Sequence, residues 1–146
     1  MQRPDAGLLR DFFDYWQTKR GERAMPAREH IDPIDIPRML PHVFLVDVLT
    51  DEDDFRYRLI GDSVRSQTQD NYIGRRLTEI VDREPQRLLL ELYRETVRNR
   101  APRSRRLSYT APGTHLTRHY DVLVAPLSPD GDVVSMLFGI AVYEGK

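Results

Sequence analysis

The sequence predicts an α+β fold, with a five-stranded antiparallel sheet, helices on one face and an amphipathic helix ahead of the sheet. Two observations support this class. Two strand patterns stand together before a mainly helical stretch, and three more follow it. Strands separated by short turns usually pair as antiparallel neighbours, and segregated helices then cover the sheet. No repeat or linker divides the 146 residues, so one domain is expected.

The first predicted element is a helix at the start of the chain, ended by Gly21. Its apolar residues are spaced by one, three, one and three positions, which places them on one stripe of a helix. We assign residues 1–22 to this helix and residues 23–146 to the sheet domain. The stripe consists of Leu8, Leu9, Phe12, Phe13 and Trp16.

Prolines punctuate the segment that follows. Pro26, Pro33, Pro37 and Pro41 are too many for a long helix. We therefore expect short turns here, with one helical turn near Ile36 to Leu40.

The first two strands form a predicted hairpin. Val43 to Leu49 is an apolar run interrupted only by Asp47, which indicates a central strand. After an acidic turn, apolar residues and arginines alternate from Phe55 to Ile60, with the period of two of a half-buried strand. Asp47 is expected either to pair across the hairpin with an arginine such as Arg56 or Arg58, or to face solvent at a strand edge.

A helical stretch separates this hairpin from the last three strands. Gly74 can take a positive φ in a turn, and an amphipathic helix is predicted from Arg83 to Asn99 and ended by Pro102. The remaining strand patterns are Arg103 to Ala111, Arg118 to Leu127 and Val133 to Tyr143, and a Pro129–Asp132 turn joins the last two.

The last strand is apolar on both of its faces. An antiparallel sheet normally leaves one face in water, so this pattern predicts that both faces are covered. The helices after the second strand would cover one face, and the N-terminal helix would cover the other within the chain or in a dimer. The even side carries Val134, Met136, Phe138 and Ile140, and the odd side carries Val133, Leu137, Ala141 and Tyr143.

Three segments of the chain resemble a known family. They are Arg23 to Gly61, Asn71 to Ile80 and Pro126 to Gly131. Together they resemble the bacterial PAS_5 branch of the PAS domain family, over a span from about Trp16 to Tyr143. This resemblance implies a sensory or regulatory module, and it implies that any small ligand lies between the sheet and the long helix.

The resemblance directs attention to the residues expected on that helix-covered face. A filled core and a cavity that admits a small apolar or aromatic ligand are both compatible with them. The sequence identifies no cofactor, and the absence of cysteine excludes flavin-cysteinyl photochemistry, disulfides and thiolate zinc sites. The candidate ligand-binding residues are Tyr57, Tyr72, Leu88, Leu92, Val122, Val124, Met136 and Phe138.

The opposite face is the candidate interaction surface. The resemblance favours a homodimer through this face or through the N-terminal helix, with a signalling protein as a further partner. The chain ends just past the fifth strand, so we expect it to act in trans, and its charged N-terminus predicts a cytoplasmic location without a membrane span. The candidate interaction residues are Leu9, Phe12, Phe13, Trp16 and Leu137.

Charge and chemistry suggest two competing functions. The arginine run from Arg94 to Arg106 could neutralise a helix C-terminus, meet an acidic protein or contact a nucleotide or nucleic acid. The net charge of −1 predicts no bulk attraction to nucleic acid. No nucleophile motif, phosphate loop or metal-ligand spacing occurs, so we predict no enzyme. An enzyme would instead need Asp47, Tyr57 and His119 to converge on one pocket.

Overall fold

The computed structural model describes residues 6–49, 54–68, 71–80, 84–110 and 115–144. Its five strands form one antiparallel sheet in the order β2-β1-β5-β4-β3. This confirms the predicted fold class. The strands are β1 (Val43–Leu49), β2 (Asp54–Ile60), β3 (Arg103–Thr110), β4 (Thr117–Leu127) and β5 (Met136–Tyr143).

Three α-helices occur in the described residues, and they cover both faces of the sheet. They are α1 (Ala6–Arg20), α2 (Asp62–Arg65) and α3 (Glu84–Asn99). We call the face under α2 and α3 the inner face and the face under α1 the outer face. Single 3-10 turns span Arg28–His30, Pro33–Asp35, Leu40–His42 and Leu77–Glu79.

Helix α1 packs on the outer face within the same chain. The ring of Phe12 lies 4.6 Å from that of Phe138 on β5, and Trp16 Nε1 donates a hydrogen bond of 2.9 Å to the carbonyl of Pro126. Both α1 side chains are buried. Outside this contact, Tyr15 donates to Asp35 Oδ2 at 2.9 Å. Phe12 and Trp16 of the predicted apolar stripe thus cover the sheet, and Leu8 and Leu9 pack beside them.

The proline-rich segment forms the expected turns. The amides of Met39 and Leu40 both donate to the carbonyl of Ile36 at 3.1 Å, which closes the predicted helical turn. Asp32 caps the next turn upstream by accepting from the amide of Ile34 at 3.0 Å. These turns bring the chain to β1 with Ile36 and Met39 buried in the core.

The faces of β5 are the reverse of those we expected. Phe138 packs against α1 and therefore lies on the outer face. Gly139 lies beneath the ring of Phe44, which is on the inner face. Leu137 is two residues from Gly139 and therefore points inward as well. Met136 shares the parity of Phe138. Side chains alternate strictly along a strand, so an assignment that is wrong for one residue is wrong for all of them. Because this strand is apolar on both sides, polarity gave no signal for its orientation.

Strand β5 also begins later than predicted, at Met136 and not at Val133. The reason is a local hydrogen-bond network around Asp130. Its carboxylate accepts from the amides of Asp132 and Val133 at 2.9 and 3.0 Å, which holds these residues in the turn. Val133 is consequently exposed.

We predict that Gly61→Ala destabilises the fold. A Cβ at Gly61 would lie 2.5 Å from the carbonyl oxygens of Leu40 and Pro41, and backbone atoms cannot swing aside as a side chain can. The expected loss is about 1–3 kcal/mol in the free energy of unfolding, measured by urea denaturation. Gly7→Ala in α1 is the control, because a Cβ there meets nothing within 4 Å. Equal stability of the two variants would contradict the close approach.

Candidate functional site

A cavity of about 60 Å³ lies between the inner face of the sheet and helices α2 and α3. Its floor is formed by four strands, and its roof by the helices and the segment around Tyr72. Most of the lining is apolar or aromatic, as in small-molecule sites generally. The lining residues are Phe44, Tyr57, Ile60, Val64, Thr68, Tyr72, Gln86, Leu89, Tyr93, Tyr120, Val122, Ala141 and Tyr143.

Five tyrosines dominate this lining. Tyr57 and Tyr93 join their hydroxyl groups by a hydrogen bond of 2.9 Å across the space between β2 and α3. The rings of Tyr120 and Tyr143 stack with centroids 4.5 Å apart, and the ring of Tyr72 stacks on Tyr57 at 6.5 Å. Buried tyrosines combine large apolar contact with a hydroxyl that needs a partner, so the cluster is both tightly packed and polar at its centre.

The cavity strongly disfavours charge. Burial is the main cause that raises the pKa of Tyr57 to about 12, although its hydrogen bond with Tyr93 acts in the opposite direction. Burial also raises the pKa values of Tyr93, Tyr120 and Tyr143, and the neighbouring tyrosines add to each shift. Among the described lining residues, none carries a charge. Ionisation of Tyr57, Tyr93, Tyr120 or Tyr143 is therefore harder than that of an exposed phenol.

One polar atom at the cavity has no hydrogen-bond partner among the residues that the structure describes. Gln86 lies in the first turns of α3, and its Oε1 is buried without a hydrogen bond from any described residue. An unsatisfied buried amide oxygen is costly, and in a native structure it calls for a missing donor. Gln86, Leu89 and Tyr93 reach the cavity together because spacings of three and four place them on one side of α3.

The floor of the cavity depends on a glycine. Gly139 lies beside Phe44 in the register of β5 and β1, and a Cβ at this position would overlap the Phe44 ring. The Phe44 ring therefore reaches over Gly139, and it makes an edge-to-face contact with Tyr57, with centroids 6.3 Å apart. The close approach places an aromatic wall at the centre of the sheet.

The structure brings only part of the predicted ligand set to the cavity. Tyr57, Tyr72 and Val122 line it. Val124 and Leu92 are buried beside it, and Leu88 is half-buried against the core. Met136 and Phe138 belong to the outer face, as described above.

The predicted interaction residues also divide. Phe12 and Trp16 are buried under α1, and Leu9 packs partly against the core. Phe13 is half-buried and lies outside the core cluster. Leu137 is wholly buried on the inner face, so its placement on the outer surface was wrong.

Sequence reasoning missed most of the aromatic wall. Tyr93 shares the apolar side of α3 with Leu92, and only the position of the helix over the sheet decides which of them reaches the cavity. Tyr120 and Tyr143 lie opposite each other in the pairing of β4 and β5, a register that no local pattern specifies. A usable signal was the number of tyrosines on inward positions, since a buried hydroxyl requires a partner.

The charged groups considered in the sequence are mainly engaged in ion pairs. Asp47 accepts from Arg58 Nε at 3.0 Å, which confirms pairing across the hairpin. In the arginine run, Arg103 and Arg105 pair with Glu95 and Glu91 of α3. In a further pairing, Arg106 lies 3.2 Å from Asp121 and 2.9 Å from Glu144.

The three residues required by the enzyme hypothesis do not converge. Tyr57 lies on the inner face, Asp47 follows the inward Val46 and so lies on the outer face, and His119 is exposed. In the described parts of the chain, no group of three potential metal ligands forms a site.

The buried carboxylate of Asp54 has a structural role. It accepts hydrogen bonds from Thr78 Oγ1 and from the amide of Phe55, and it thereby holds the start of β2 against the Leu77–Glu79 turn.

Comparison with known proteins agrees with this architecture. The profile of the PAS domain family matches residues 5–142, so the chain belongs to the PAS domain family. The family is sensory and regulatory, and its domains are generally not enzymes. No curated protein matches the chain in sequence. Within the described residues, no helix is both long enough and apolar enough to cross a membrane.

Solved structures share the fold at low identity. A LOV protein from Rhodobacter sphaeroides has a TM-score of 0.54 and 12% identity over 80% of this chain and 70% of its own. The PAS domain of BvgS from Bordetella pertussis has a TM-score of 0.53 and 18% identity over 80% and 89%. The LOV domain of a blue-light activated histidine kinase from Erythrobacter litoralis has a TM-score of 0.53 and 14% identity over 75% and 100%. These likenesses establish the fold alone.

We predict that the protein loses stability in alkali between about pH 10 and pH 12. The unfolded chain releases tyrosine protons near pH 10, whereas native Tyr57 keeps its proton up to a pKa of about 12. The native state therefore binds more protons in this interval, and each such tyrosine lowers the free energy of unfolding by up to about 1.4 kcal/mol per pH unit.

Urea denaturation at several pH values measures this slope. Tyr57→Phe should make it shallower, and Tyr15→Phe should change it less because Tyr15 is only partly buried on α1. A stability that stays constant from pH 10 to pH 12, or a slope that Tyr57→Phe leaves unchanged, would contradict the burial of this phenol.

Proposed function

We propose that this PAS domain is a sensor that acts in trans: its inner cavity accepts a small ligand, and α1 on the outer face passes the occupied state to a partner protein. The observation that carries the proposal is the alternation of β5. Ala141 and Tyr143 line the cavity, whereas Phe138 and Ile140 point to the outer face, where α1 lies. Only the backbone of β5 therefore separates the cavity from the side chains that contact α1.

The packing supports a mechanical link between the two sides. Ala141 faces the cavity, Ile140 faces the outer side, and both are buried, so β5 is packed on both of its faces. Protein interiors are close-packed and transmit displacement. An atom that enters the cavity and moves β5 therefore also changes the surface on which Phe12 and Trp16 rest.

A second copy of the chain is the partner that we propose for α1. Phe12 and Trp16 are buried within the chain and cannot contact a partner, but Phe13 is half-buried and lies outside the core cluster. Phe13 is a large apolar side chain on the flank of the lid, next to the buried Phe12. A symmetric contact between two such flanks would cover both rings at once.

Trp16 provides a direct test of the link across the sheet. It is the only tryptophan in the chain and lies on the buried side of α1, so tryptophan fluorescence reports on the contact between α1 and the sheet alone. We predict that Ala141→Leu, which fills the cavity, shifts β5 and makes acrylamide quench Trp16 faster than in the unchanged protein.

The matched control is Ala101→Leu, the same change at an exposed position. It should leave quenching unchanged. If both variants quench like the unchanged protein while circular dichroism shows that Ala141→Leu is folded, the two faces are not coupled and the proposed signalling route fails.

The proposed dimer is tested by native mass spectrometry of freshly purified protein, which also reports any retained small molecule. We predict a species of two chains that Phe13→Glu converts to one chain, because a carboxylate cannot be buried unpaired in an apolar contact. Thr18→Glu, at an exposed position on the same helix, should leave the dimer intact. A single chain at every concentration would rule out the dimer.

A further inference from the structure

The size of the inner cavity limits what it can hold. Its volume of about 60 Å³ leaves room for about two water molecules at their liquid volume of about 30 Å³ each. An engineered apolar cavity that binds benzene measures about 150 Å³, so a single six-membered ring enters this cavity only if the side chains around it move outward. A fused-ring or nucleotide-sized molecule would require a much larger displacement of the surrounding tyrosines.

The walls of the cavity favour a flat aromatic molecule. Tyr57 and Phe44 meet edge to face with an interplanar angle of 67°, and Tyr57 stacks on Tyr72 at 28°. Aromatic rings prefer these two arrangements because the faces carry negative and the edges positive partial charge. A ring inserted among them would make the same contacts.

The electrostatic character of the cavity favours a neutral molecule. The described lining residues supply hydroxyl and amide groups but no cation to pair with an acid and no carboxylate to pair with an amine. The same desolvation that raises the pKa of Tyr57 and Tyr93 would act against any charged ligand.

One hydrogen-bond acceptor at the cavity could take a donor from a ligand. The buried Oε1 of Gln86 accepts from no described residue. In the pair formed by Tyr57 and Tyr93, one hydroxyl already donates to the other. A ligand that brings its own O–H or N–H would supply the donor that Gln86 lacks.

We infer that the cavity selects neutral single-ring aromatic molecules that carry one hydrogen-bond donor, the chemical class of phenol, with Gln86 as the residue that determines specificity. This rests on the proposed function, which gives the cavity a ligand. Gln86 would contribute by discriminating phenol from rings of the same shape that lack the donor.

The experiment compares phenol, toluene and benzoate with the full chain at pH 7 by ligand-observed NMR titration. We expect phenol and toluene to bind, benzoate not to bind, and Ala141→Leu to abolish the binding of phenol and toluene. Gln86→Met keeps the length of the side chain but removes the acceptor. It should lower the ratio of the dissociation constants of toluene and phenol roughly two- to tenfold, the loss of one net hydrogen bond.

Gln17→Met makes the same substitution on α1, across the sheet from the cavity, and should leave the ratio unchanged. An unchanged ratio in folded Gln86→Met, or benzoate binding as tight as that of phenol to the unchanged protein, overturns the assignment of the ligand class while the proposed function stands. The benzoate comparison needs no variant. If none of the three molecules binds, both this inference and the ligand part of the proposed function fail.

Discussion

The whole structure depends on covering a sheet that is apolar on both faces. Strand β5 lies at the centre of the strand order, and each of its residues from Leu137 to Val142 is buried. Water cannot solvate either side of such a strand without exposing several large side chains. Helix α3 removes one face from water and α1 removes the other, so α1 is an integral part of the domain and not a free extension.

The two covers differ in chemistry. Under α1 the contact is made by Phe12 and Trp16 with one hydrogen bond to a backbone carbonyl. Under α3 the contact is aromatic and polar, because several tyrosines converge there with their hydroxyl groups inward. A phenol fills space like phenylalanine, but its hydroxyl must find a partner. The cavity lies among these rings.

Charge is arranged around this core in a way that bears on function. The arginines that follow α3 are matched by glutamates on the helix and by Asp121 and Glu144 at the neighbouring strands. Exposed pairs of this kind contribute little stability each, yet they neutralise the basic run. The described residues therefore present a mixed-charge surface over β3, which is a poor electrostatic match for a phosphate backbone.

The amino-acid sequence by itself determined the order of the strands and long helices and the limits of several of them, because hydrophobic period, proline and glycine are local signals. It predicted β1 and α3 to within a residue, and it predicted a cover on each face from the apolar pattern of β5. It also indicated the pairing of Asp47, since opposite charges stood across a short turn.

Only the tertiary structure decided which way β5 faces and therefore which residues form the site. A strand that is apolar on both sides satisfies either parity equally well, so Phe138 and Leu137 could exchange faces without any local penalty. The choice is made by distant contacts: Phe44 fits over Gly139, and Phe12 fits against Phe138. The meeting of Tyr57 with Tyr93, and the burial of a Gln86 oxygen that accepts from no described residue, likewise result from packing between segments far apart in the chain, which no local pattern encodes.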